Sequence, residues 1–134
     1  MVLALSHLTL LGQGPQAVFE QYLEHISLKS YAEATKLQTE NATARIALFA
    51  SELEKSKGLG KEAAVHLLMD ENAEGFQKVL DVLEMKEEAM IRAKYESGIS
   101  QAFYLIRKEG KWYVAAPKEV EKTGRYYISC MDGE

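Results

Sequence analysis

The sequence predicts an α+β domain, with helices in the first half of the chain and a curved antiparallel sheet in the second. Three observations carry this reading. Apolar residues recur at three- and four-residue spacing between Pro15 and Met69. The pair Glu74-Gly75 then breaks the pattern, and beyond it the apolar period falls to two. With 134 residues, 47% of them hydrophobic, the chain is long enough for one well-filled core and too short for two ordinary ones. A single domain over 1–134 is therefore expected, with a helical half at 15–74 and a sheet half at 76–130.

Residues 1–14 are apolar (Val2, Leu3, Leu5, Leu8, Leu10, Leu11) but interrupted by Ser6, His7 and Thr9. They lack the basic start and small-residue cleavage site of a secretory leader, so a loose segment is expected, with a leader remnant as the alternative. The cytoplasm is favoured over export on the same ground. Pro15, after Gly12-Gln13-Gly14, suits the first turn of a helix, and Phe19, Tyr22, Leu23 and Ile26 form its apolar stripe. Ser30 is placed to cap a second helix carrying Tyr31, Ala34 and Leu37. A third helix presents Ile46, Phe49, Ala50 and Leu53 on one face and stops at Gly58, where paired glycines permit a left-handed cap. Val65, Leu68 and Met69 mark a shorter fourth helix.

Phe76 to Met85 reads as the first strand and Lys86-Glu87-Glu88 as a polar turn. Ala89, Ile91, Ala93 and Tyr95 alternate with Met90, Arg92, Lys94 and Glu96, the pattern of a strand with one buried and one wet face. Ser97-Gly98 turns the chain into Gln101, Phe103 and Leu105, and a short hairpin through Lys108-Glu109-Gly110-Lys111 leads to Trp112, Val114 and Ala116. Pro117 cannot donate to a ladder and ends the meander, after which Arg125 to Cys130 is a candidate edge strand.

A formal charge of -4 without a basic block argues against nucleic acid as a partner. No apolar run reaches the roughly 18 to 20 residues of a membrane span. The lone Cys130 excludes an internal disulfide and has no neighbouring His or Asn motif that would make it a nucleophile. Gly58-Leu59-Gly60-Lys61 lacks the spacing and preceding strand of a phosphate loop. His66 and Asp70 lie four apart on one helical face, and a surface pair is favoured over a metal or catalytic site because ligands with recognisable spacing are missing. Neither a metal nor a cofactor is expected.

The hairpin Ala102-Phe103-Tyr104-Leu105-Ile106-Arg107-Lys108-Glu109-Gly110-Lys111-Trp112-Tyr113-Val114 resembles one that recurs in the nuclear-transport-factor-2-like superfamily. Phe19-Glu20-Gln21-Tyr22-Leu23 followed by Ser30-Tyr31-Ala32-Glu33-Ala34 is similar to that family's first two helices. The resemblance runs from Pro15 to Ala116. It implies a cone, a bent sheet wrapped around helices and open at one end. Members use such a cone in isomerases and dehydratases, in small-ligand binders, or as a packed core in domains that bind proteins, including bacterial immunity proteins that neutralise a toxin.

Within that frame the leading expectation is a non-catalytic binding domain, with Tyr95, Gln101, Phe103 and Trp112 meeting a small apolar ligand. Arg92, Tyr104 and Tyr113 are expected on the opposite sheet face, where tyrosine and arginine suit an interface with a protein partner or a second copy in a homodimer. The enzymatic alternative takes Asp81 as a general base, with Tyr95 or Gln101 as its hydrogen-bond partner. In strict alternation Asp81 shares a face with Val79, Leu83 and Met85, and burial there would raise its pKa toward that task. The other reading turns Leu80 and Val82 inward and leaves Asp81 in water.

Overall fold

A computed structural model of the chain describes residues 13–120. Helix α1 (Pro15–Ser27) begins with proline, whose missing N–H falls where a helix has no partner for it. Its stripe of Val18, Phe19, Tyr22, Leu23 and Ile26 is buried throughout. The chain reverses through Lys29, at a left-handed φ of 63°, into the short α2 (Tyr31–Lys36). Ser30 occupies the N-cap of α2, yet its side chain makes no capping bond. Thr39 does cap: its Oγ1 accepts from the backbone N of Ala42 at 3.0 Å and opens α3 (Glu40–Lys57). α3 closes on Gly58 at φ 67°, a conformation glycine enters without a Cβ penalty. α4 (Lys61–Ala73) packs against α3 and α1 and stops before Glu74-Gly75.

Four strands follow: β1 (Phe76–Glu84), β2 (Glu88–Tyr95), β3 (Ser100–Lys108) and β4 (Lys111–Ala115). They pair antiparallel in the order β1-β2-β3-β4, a meander. Helices before an antiparallel meander is the α+β order that the resemblance to the nuclear-transport-factor-2-like superfamily implies. The β3–β4 turn is Glu109-Gly110, with φ of 51° and 79°, the two successive left-handed residues of a type I′ hairpin. One face of the sheet supplies Ala89, Ile91, Ala93, Tyr95, Phe103, Leu105, Trp112 and Val114 to a single hydrophobic cluster with the α1 stripe, Ala34 and Met69. Each large apolar side chain enclosed there contributes roughly 1.5–3 kcal/mol.

The outer edge of β4 is covered by the segment after α2. The backbone N of Val114 donates to Leu37 O at 2.7 Å, and the backbone N of Thr39 donates to Val114 O at 2.9 Å, a parallel bridge centred on Gln38 and Val114. A 3-10 turn, Pro117–Glu119, then brings Glu119 back to the start of α3. Its Oε2 accepts from Thr39 Oγ1 at 2.5 Å and from the backbone N of Ala116 at 2.7 Å, and its Oε1 accepts from Asn41 Nδ2 at 3.2 Å.

Three sequence expectations change. Phe49 is exposed on α3 beneath the Arg45 guanidinium, because it lies at the margin of a stripe whose centre, Ala50, is the residue fully enclosed. Met90 belongs to the alternate, nominally wet face of β2 and is nevertheless buried. In β1, register shifts between Phe76 and Lys78 and between Val79 and Asp81 break the alternation. An extra residue turns the following side chains to the other face, so Val79 opposes the inward Ala93 while Asp81 opposes the outward Arg92. The expected strand over Arg125 to Cys130 lies outside the described residues.

Candidate functional site

The cluster between α1 and the sheet is filled by aromatic rings. The Phe19 centroid lies 4.8 Å from that of Phe103 and 6.1 Å from that of Phe76, which in turn meets Tyr95 at 6.0 Å. Tyr95 Oη donates to the carbonyl of Asn72 at 2.5 Å, and burial pushes its pKa up to about 12. Tyr22 Oη donates to Gln38 Oε1 at 2.6 Å, and Gln38 Nε2 donates to Thr43 Oγ1 at 2.9 Å. Burial raises the Tyr22 phenol as well. Both phenols are therefore neutral hydrogen-bond donors at ordinary pH, committed to holding elements together.

Concave space remains at one end of this core, where α1, α2 and the β3–β4 hairpin converge on a cleft of about 320 Å³. Its floor is apolar: Val18 from α1, Leu37 from the end of α2 and Trp112 from β4. Gln21 and His25, on the flank of α1 beside the buried stripe, form one wall. Glu33 and Lys36 of α2 and Lys111 of the hairpin complete the rim, and Lys36 Nζ lies 3.2 Å from Glu33 Oε1. Tyr113 separates this cleft from a wider depression beside Gln38, Glu40 and Arg107. Among the described residues no Ser, Thr or Cys lines the cleft, and what these residues offer a ligand is an apolar floor, hydrogen bonds and charge.

Of the four residues expected to meet a ligand, Trp112 lies on the cleft. Phe103 and Tyr95, like most of Trp112, belong to the filled core, and Gln101 is exposed at the start of β3. Asp81 is half-exposed on the outer face, where its Oδ2 accepts from Arg92 Nε at 2.6 Å and pairs with the second guanidinium nitrogen too. Asp81 and Tyr95 therefore stand on opposite faces of the sheet, and the expected base with its hydrogen-bond partner is not assembled. Arg92 and Tyr104 do share the outer face, diagonally across β2 and β3, and Tyr113 occupies that face opposite Ile106.

His66 and Asp70 are both engaged by a residue that sequence spacing did not connect to them. The Tyr31 ring stacks on His66 with centroids 3.7 Å apart and planes 7° from parallel, and Tyr31 Oη donates to Asp70 Oδ1 at 2.8 Å. Lys29 Nζ reaches the same carboxylate at 3.3 Å. Hydrogen bonding to Tyr31, then to Asp70, raises the Lys29 pKa, while partial burial, then the Asp70 bond, raises that of Tyr31. The group fastens α2 to α4. Among the described residues no cluster of three or more His, Cys, Asp or Glu could hold a metal ion, and no helix is long and apolar enough to cross a membrane.

No protein-family model and no curated protein matches the chain. Among solved structures the chain is similar to one from Campylobacter jejuni, described provisionally as an NTF2-like transpeptidase, at 16% identity over 73% of this chain and 91% of that one. The TM-score is 0.36, too loose a superposition to carry an argument about activity.

Proposed function

We propose that the chain is a non-catalytic binding domain whose ligand site is the cleft beside Trp112. The observation that carries this reading is the filled interior: Phe19, Phe76, Phe103 and Tyr95 occupy the space in which a cone-shaped fold would enclose a reacting substrate. The cleft beside Trp112 has an apolar floor and a polar rim, the composition of a small-molecule site. Its lining side chains hold and orient; among the described residues none is a buried nucleophile set against a base. Native mass spectrometry of protein purified gently from its source cells tests this. A retained small-molecule adduct that disappears in a Val18→Phe variant, which crowds the floor, supports the reading. Adduct-free protein bound to a protein-sized partner refutes it in favour of the second reading.

That second reading places a protein partner, or a second copy, on the outer sheet face. Arg92 and Tyr104 lie there together, with the buried Met90 and Ala115 flanking Tyr104 on the neighbouring strands. Tyrosine and arginine around a buried apolar centre are the usual composition of an interface core. Sedimentation at micromolar concentration separates the two arrangements, since a strict monomer leaves no room for a sheet-face homodimer.

A further inference from the structure

From the charges around the Trp112 cleft we infer that its ligand is a small organic anion, a carboxylate carried on a small apolar body. The inference rests on the binding reading above and adds the chemical class. Leu37 and the small exposed parts of the otherwise buried Val18 and Trp112 form an apolar floor. Five titratable side chains line the cleft from three elements: His25 of α1, Glu33 and Lys36 of α2, and Lys111 and Tyr113 of the hairpin. The one carboxylate among them is already paired, 3.2 Å from Lys36 Nζ. Lys111 has no ion-pair partner among the described residues, so the ammonium groups outnumber the carboxylate and the rim is cationic on a chain whose formal charge is -4. Cationic charge concentrated at the mouth of an apolar slot on an acidic protein attracts anions locally and repels cations. A volume of about 320 Å³ accommodates a ring with a short chain, its acid group reaching the lysines at the rim.

The chain has one tryptophan, and it lies on the floor of the cleft, so its emission and its indole N–H resonance report occupancy directly. Three matched probes, 3-phenylpropanoate, 3-phenylpropanol and 3-phenylpropylamine, share a body and differ in charge. The acid is expected to saturate the Trp112 signal at millimolar concentration, about threefold more tightly than the alcohol, since the exposed lysine charges are screened. The amine binds weakest. In the Lys36→Gln/Lys111→Gln double variant the acid falls to the level of the alcohol, whose own affinity is unchanged. Equal binding of all three probes overturns the anionic preference and leaves the binding site standing. Failure of every probe to saturate either Trp112 signal overturns both.

Discussion

Replacing Phe19 with alanine tests whether the interior is as full as the ring geometry indicates. Phe19 is 0% exposed and is in contact with two other rings, Phe103 at 4.8 Å and Phe76 at 6.1 Å. Truncation removes a phenyl group of about 100 Å³, and at roughly 24 cal/mol per Å³ the cavity alone costs about 2.4 kcal/mol. Lost transfer energy and the two ring contacts raise the total, while partial collapse of neighbours lowers it, giving about 4 kcal/mol. Urea unfolding followed by Trp112 emission measures this as a lower midpoint at constant slope. The vacated space is apolar and enclosed, so benzene should bind it and recover part of the loss, stabilising the variant more than the parent, whose cleft alone is open to it. A loss below about 1 kcal/mol, or equal stabilisation of parent and variant by benzene, would refute the filled interior and reopen the cone as a substrate chamber.

Three other outcomes follow from contacts described above. Glu119→Ala removes the acceptor shared by Thr39, Asn41 and Ala116 and should cost about 2 kcal/mol in chemical denaturation; a change within 0.5 kcal/mol, roughly the scatter of neutral surface substitutions, would show that the clasp is idle. Asp81→Asn should cost less than about 1 kcal/mol, an effect that vanishes in molar salt, because both partners of the Arg92 pair are partly exposed. A larger loss that persists in salt would mean Asp81 does something beyond this pairing. In alkali, the raised Tyr95 pKa means that the unfolded chain releases its proton first. Stability is then fully present below pH 10 and lost as pH rises toward about 12, with Tyr22 acting in the same direction. The Tyr22→Phe/Tyr95→Phe double variant should flatten that decline in a series of melting curves, and an unchanged slope would contradict the burial argument.

Periodicity made the elements legible because burial is what imposes it. The α1 stripe, the inward residues of β2 and the Gly58 cap are all consequences of local rules acting on adjacent residues. The strand β1 is legible but its facing is not, for an equally local reason: two register shifts alter the alternation, and nothing in Phe76 to Glu84 marks where an extra residue falls. The cleft was legible only at Trp112. Its other walls come from α1 and α2, and their meeting depends on how three elements pack, which no spacing within one element encodes. Tyr31 likewise joins His66 and Asp70 from a different helix, a contact spanning 39 residues in the case of the Asp70 bond.

The clasp between Thr39 and Glu119 joins residues 80 apart, and the α1 stripe has its apolar partners on β2, β3 and β4. During synthesis the helices emerge from the ribosome first, at about 5–20 residues per second, with that stripe exposed and the α3 cap unfinished. Their partners on the sheet are still to be translated, and contacts among the helices cover only part of the stripe. The helical half must therefore wait in solution for several seconds, a window in which a chaperone that grips short apolar helices would find α1 accessible.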